Sequence, residues 1–346
     1  MTGLVKRLRT GARRLVRRAP EGTLVLLYHR VATPAVDPLR LSVSPTHFAQ
    51  HMAILKREAR PMQLRALRTA LRTGKTPRDG VVVTFDDGYA DNLLAARPIL
   101  DRHDVPATIF VTSGALGTPG FWWDRLARLL LSPGKLPKRL SLPVPGRTHD
   151  VKIGRDAEWD AAAAAAHPDW EPWGEAHPTA RHRAYRTFYD ALFPLDAEQR
   201  EKALAALPKA PDGADDRPLS IAELRTLAEN DLIEIGCHTR THPVLAKLSS
   251  EAQRDEIRLA RRDLGAIIGS PLTSFAYPFG RREDYDAGTV AMVREAGFSC
   301  ACSNFAGPVA AGTDPLQLPR FQVRDWDGDG FAAALRAWRD GEDPPA

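Results

Sequence analysis

Cysteine is scarce in this 346-residue chain, with only Cys237, Cys300 and Cys302 present. Three thiols in a chain of this length do not make a disulfide framework, so stability has to come from a packed core. No stretch supplies the roughly eighteen apolar residues of a membrane-spanning helix. The first twenty residues, MTGLVKRLRTGARRLVRRAP, also lack the continuous apolar run of a secretory signal. With export and spanning segments missing, the cytoplasm is the expected compartment. Acid is absent from those same twenty residues, which hold seven cations: Lys6, Arg7, Arg9, Arg13, Arg14, Arg17 and Arg18. The formal net charge is only +5, so the rest of the chain is near neutral. Basic residues and aromatics are not interleaved as a single-strand-binding groove requires, and no nucleic-acid partner is expected.

What is present describes an ordinary globular protein, 43% hydrophobic and 26% charged. Within residues 1–20, Leu4, Val5, Leu8, Leu15 and Val16 stand among the cations. On a helix they would form an apolar stripe beside a basic face, suited to peripheral contact at the inner membrane surface. A frayed, solvated terminus is the alternative. Beyond it, short apolar runs alternate with amphipathic stretches. Strands are predicted at 23–28 (TLVLLY), 81–85 (VVVTF), 107–112, 232–236, 273–277 and 298–302. Helices are predicted at 46–59, 92–103, 221–229, 251–268, 290–296 and 331–338. Such alternation implies an α/β fold with a parallel sheet, open or closed into a barrel.

Residues 119–217 break the rhythm. They are rich in Pro and Ala, contain five of the seven tryptophans, and are expected to be a mostly helical insertion with helices at 122–131, 181–192 and 197–207. The expected organisation is a basic segment 1–20, barrel parts 21–118 and 218–346, and the insertion between them as a lid or substrate platform. The insertion's tryptophans could stack on the rings of a ligand, or, for most of them, build its own small core.

Two segments carry chemistry. Thr84-Phe85-Asp86-Asp87-Gly88 places adjacent carboxylates at the end of an apolar strand, a costly arrangement without a cation. A helix cap beside a solvated acid would be the plainer reading. The second segment is His238-Thr239-Arg240-Thr241-His242, after the strand LIEIG. Histidines at i and i+4 on a helical turn can share one metal ion. Strand C-terminal ends form the active face of parallel sheets and barrels, so both segments point to one place. Two His and one Asp leave open positions on a divalent metal, as in hydrolytic sites, and the second acid is free to act as base.

These motifs, followed by Tyr277-Pro278-Phe279-Gly280, resemble the polysaccharide deacetylase family of the nodulation or chitooligosaccharide deacetylase type. The resemblance spans about 24–323 apart from the insertion. It implies a distorted (β/α) barrel, often seven-stranded, that removes N-acetyl or O-acetyl groups from a saccharide. By the same resemblance Asp86 is the general base, and Asp87, His238 and His242 are metal ligands. Tyr277 and Phe279 then wall the groove, the Phe279 amide helping to hold the oxyanion. Zinc is the implied metal, with cobalt or nickel able to serve. The chain departs from the family twice. The arginine that pairs with the base is replaced by Ala276, for which Arg320 is the candidate substitute, a surface ion pair being the alternative. The C-terminal histidine that acts as general acid is absent, and His29, ending the first strand, is the candidate acid. A partly buried histidine satisfied by the backbone is the plainer reading of His29. Two other function classes stay open: a saccharide-binding pseudoenzyme, and an amidase on a non-sugar substrate. Cys300 and Cys302 are expected in the core, His167, His177 and His182 on the surface, and Asp325, Asp327 and Asp329 in a polar turn.

Overall fold

The computed structural model describes residues 22–211 and 216–344. Residues 1–20, with their expected membrane contact, lie outside these. No helix among the described residues is long and apolar enough to cross a membrane.

Seven parallel strands organise the chain: β1 (Leu24–Tyr28), β2 (Gly80–Phe85), β3 (Ala107–Val111), β4 (Ile233–Cys237), β5 (Ser274–Ala276), β6 (Cys300–Cys302) and β7 (Phe321–Gln322). Their order is β6-β5-β4-β3-β2-β1-β7, with a short strand at Arg60–Pro61 added beside β2. Strand side chains alternate between two apolar clusters. Leu24, Leu26, Val81, Val83 and Phe85 pack outward against helices, whereas Val25, Val82 and Phe110 point into the interior. Both faces of the sheet are therefore covered, which explains the nearly continuous apolar runs. The two edges approach each other through one short run. Leu318 pairs with Cys302 at the end of β6, and β7 pairs with β1. This is the seven-stranded, distorted barrel expected from the sequence.

Helices follow most strands on the outer face: α1 (Pro45–Glu58), then α2 (Leu64–Arg72), α3 (Arg97–His103), α4 (Trp122–Leu131), α5 (Ala180–Leu192), α6 (Ala197–Leu204), α7 (Ile221–Ala228), α8 (Ser250–Ile268), α9 (Ala287–Glu295) and α10 (Gly328–Asp340). Serine and aspartate caps start several of them, including Ser44, Ser220, Ser249 and Asp286. Asp327 caps α10, and Asp325 accepts from the Ser44 amide and His47, so the polar turn there is structural. Helix α2 was not anticipated. It lies across the barrel end where strands begin, with Leu64 and Leu67 inside the interior cluster and Arg68 donating to Ser299.

The insertion builds a second apolar cluster around Trp122, Trp123, Leu126, Tyr185 and Phe188, which Tyr89 joins from outside it. Trp122, Trp123 and Trp159 are buried, whereas Trp173 is half exposed. An antiparallel hairpin, Arg139–Val144 with Arg147–Lys152, stands where no strand was expected. Its signal was present, since Leu140 and Leu142 alternate with exposed residues before the turn at Pro145-Gly146, but three prolines and glycines within four residues read as loop.

Gly236 on β4 admits no side chain. A Cβ there would lie 2.3 Å from Phe110 Cδ1 and 3.0 Å from Ser274 Oγ. Gly236→Ala should therefore destabilise the barrel by about 1–3 kcal/mol. A lowered urea midpoint with an unchanged denaturant slope would register this.

Candidate active site

The conserved geometry of a strand would send Asp86 and Asp87 to opposite sides. A turn overrides it. The Gly88 amide donates to the Asp86 carbonyl at 2.9 Å across Asp87, whose φ is +73°. This is the γ-turn of positive φ, the rarer and more strained kind. Gly88 continues at φ +84°, with Val111 so close that a Cβ would meet it at 3.1 Å. The kink aims both carboxylates at His238, whose Nε2 is 3.8 Å from Asp86 Oδ2 and 3.6 Å from Asp87 Oδ1.

His238 and His242 are brought together, but not by the expected helical turn. The segment is a loop in which Thr239 and His242 both have left-handed φ, +62° and +55°. Glu256 of α8 explains why no helix forms: its carboxylate accepts from the Arg240 amide, the Thr241 amide and the Thr241 hydroxyl at 2.6–2.9 Å. Thr239 Oγ1 accepts from the His242 amide at 3.1 Å. His242 Nε2 then stands 3.3 Å from Asp87 Oδ1. One ligand atom from each of Asp87, His238 and His242 falls within 4.8 Å of the others.

Protonation decides what this trio can hold. His238 Nδ1–H donates to the Ala276 carbonyl at 2.8 Å, which leaves the Nε2 lone pair facing Asp87. Asp87 Oδ1 is buried with no hydrogen-bond partner. Burial pushes the Asp87 carboxyl above its usual pKa despite the nearby imidazoles, and pushes His238 down. Burial, with the charge of Arg200, lowers His242 to about 3. Neutral imidazoles and a partnerless carboxylate converge, a donor set that fits a divalent cation and repels itself without one.

Asp86 is paired differently. Arg320 reaches it with two parallel hydrogen bonds of 2.7 Å and donates a third to the Ser303 carbonyl. Arg320 is 1% exposed, so the surface-pair alternative does not describe it. Burial alone would raise the Asp86 carboxyl, but the Arg320 guanidinium and the neighbouring imidazoles outweigh it and bring it to about 2.

His29 follows β1, within electrostatic reach of Asp87, Asp86, Arg320 and His238, and burial lowers its pKa. Its backbone carbonyl accepts from Asn92. Phe279 packs its ring 4.7 Å from that of His242, on a second γ-turn in which the Gly280 amide donates to the Pro278 carbonyl across φ +60°. Tyr277 departs from expectation. Its side chain belongs to the core, stacked 3.9 Å from Tyr285, with the hydroxyl donating to the Leu316 carbonyl, and so does not wall a groove. As the last alternation before the Pro278 bend, Tyr277 faces the helices rather than the interior.

Several neighbours escaped the sequence reading. Trp123 of α4 packs 4.9 Å from the His242 ring, and its indole N–H donates to Tyr89, which donates to Asp124. Phe193 touches Phe279 from the insertion. Arg200 of α6, buried, directs its guanidinium to the His242 carbonyl at 3.4 Å. Tyr89 directly follows the first motif, but nothing in the spacing of Trp123, Phe193 or Arg200 linked them to either one. His182, expected at the surface, is buried against Trp170 and bonded to Thr179; Cys237, Cys300 and Cys302 are buried and free. A cavity of about 840 Å³ borders the site through Thr112, Phe121 and Thr241, though neither the acids nor the imidazoles line it. The convergence of ligand atoms, not cavity size, marks the reactive centre.

A family model described as polysaccharide deacetylase matches residues 73–134 and 195–301, leaving a gap inside the insertion. Poly-β-1,6-N-acetyl-D-glucosamine N-deacetylase of Escherichia coli K12 is 31% identical over 100 residues, 28% of this chain and 15% of that protein. The chain thus aligns with only a small part of that relative's length. IcaB from Ammonifex degensii superposes with a TM-score of 0.57 at 18% identity, covering 92% of this chain and 97% of that one. Streptococcus pyogenes deacetylase PplD gives 0.56 at 17% identity, covering 90% and 96%. These two share the fold. Over residues 73–134 and 195–301, just under half of its length, the chain carries the polysaccharide deacetylase domain that the family model describes.

The Asp86–Arg320 pair is testable by coupling. Arg320→Met leaves a buried carboxylate alone and should cost about 3–5 kcal/mol of stability. Adding Asp86→Asn should recover part of that loss, measured by urea unfolding of both single variants and the double.

Proposed function

We propose that this protein is a metal-dependent hydrolase that removes acetyl groups, most readily N-acetyl groups, from a saccharide. The observation that carries the reading is the meeting of Asp87, His238 and His242 within 4.8 Å beside a second, arginine-paired carboxylate. Zinc suits two imidazoles and a carboxylate, and cobalt or nickel can replace it. A divalent ion held there would polarise an acetyl carbonyl and acidify a water molecule.

The chain's own groups divide the remaining work. Asp86, kept ionised by Arg320, accepts a proton from the attacking water as its oxygen bonds to the acetyl carbon. The Phe279 amide is assigned to the oxyanion that develops on the carbonyl oxygen. His29 is assigned to pass a proton to the sugar nitrogen as the carbon–nitrogen bond breaks, releasing acetate and a free amine; its lowered pKa makes it a ready donor once it holds that proton. Trp123 and Phe279 hold the His242 ring and exclude water from it. The substrate class rests on the family match and on the E. coli relative named for its action on poly-β-1,6-N-acetyl-D-glucosamine. Of the two departures that favour a pseudoenzyme, the arginine missing at Ala276 has a counterpart in Arg320, and His29 is our candidate for the missing histidine. The three free, buried cysteines agree with the cytoplasmic compartment we propose.

Asp87→Ala and His238→Ala should each lose bound metal and acetate release together, and chelation of the parent protein should do the same, reversed by a divalent ion. Asp86→Asn should keep its metal, measured by elemental analysis, while turnover on N-acetylated oligosaccharides drops by about 10²–10⁴-fold. A fully active Asp86→Asn protein would refute the assigned base. His29→Ala should likewise retain metal and lose kcat over a similar range, with KM little changed.

A further inference from the structure

The barrel end opposite the candidate active site has its own chemistry. Residues 59–78 contain six cations (Arg60, Arg65, Arg68, Arg72, Lys75 and Arg78) and no acid. Helix α2 lies in their midst. Its apolar side, Leu64 and Leu67, closes the barrel interior, while Arg65, Arg72 and Lys75 are exposed on and just beyond it. Arg72 and Lys75 make no ion pair with any described residue, and Arg65 meets only the neutral Gln63. Asp79 and Asp231 stand at the rim, the carbonyl of the latter accepting from Gln63.

The first described residues start beside this face. Thr23 Oγ1 donates to the Pro77 carbonyl at 2.7 Å, and a Cβ on Gly80 would meet that same hydroxyl. Thr23 therefore sits at the edge of this basic face. Asp79 is the sole acid between residues 59 and 80. Asp86, Asp87, His238 and Phe279 all follow strand ends on the other side. The five residues of β4 separate the two faces by roughly 16 Å.

We infer that the outer side of α2 and the following loop form a docking surface for an anionic lipid bilayer, with the candidate active site facing away from it. Charge complementarity favours this partner. A face rich in cations closing the end of a barrel suits a planar anionic surface, and each basic residue near such a surface adds roughly fivefold to binding. A nucleic acid would also meet cations, but residues 59–80 include no aromatic side chain for stacking on bases.

The test uses the full chain and vesicles of phosphatidylcholine alone or mixed with phosphatidylglycerol. The parent protein should co-sediment with the mixed vesicles only, and less as salt rises. Arg65→Glu/Arg72→Glu/Lys75→Glu leaves residues 1–20 intact and alters only exposed side chains. It should bind the mixed vesicles on the order of a hundredfold more weakly, with an unchanged melting temperature and unchanged acetate release from a soluble saccharide. Arg65→Lys/Arg72→Lys should bind like the parent. Undiminished vesicle binding by the charge-reversed protein would overturn the inference, because residues 1–20 would then suffice. So would binding of the parent to duplex DNA but not to vesicles, or failure to bind mixed vesicles at low salt.

Discussion

Asp87 brings a carboxylate into the barrel mouth where no proton donor meets it. Around that group the chain adopts unfavourable conformations that make sense together: left-handed backbone at Asp87, Thr239, His242 and Phe279. Each costs free energy in isolation, of order 1–3 kcal/mol for residues other than glycine. The barrel, the Glu256 anchor and the insertion's aromatics over-determine them. A cation among the ligand atoms would relieve the electrostatic part of this strain, so metal affinity and loop geometry are two expressions of one balance.

The two carboxylates divide by environment rather than by type. Asp86 and Asp87 are adjacent, equally buried and chemically identical. Arg320 neutralises one and leaves the other to the imidazoles. The depressed Asp86 pKa and the raised Asp87 pKa follow directly. Neighbouring acids with opposite shifts are how a site assigns different tasks to the same side chain.

Much of this was legible beforehand, and what was not has identifiable causes. Strands such as VVVTF announce themselves because both faces are buried. Asp86, Asp87, His238 and His242 could be picked out since short motifs carry their own geometry. The conformation of 238–242 could not, because it depends on Glu256, whose side chain arrives from another helix. Tyr277 was misjudged since a motif position does not say which way its ring turns. Helix α2 was hidden by its arginines, which obscure a three-leucine stripe, and the hairpin at 139–152 by its prolines. Trp123, Tyr89 and Arg200 touch the site only through folding of the insertion.

Arg320 lies in the short run that joins the two edges of the sheet, 234 residues after its carboxylate partner. Completing the cylinder and neutralising Asp86 are consequently the same event. Without Arg320 in place, the buried Asp86 carboxylate would have no guanidinium to balance it. One residue thereby ties the closure of the fold to the charge state of an acid beside the ligand trio.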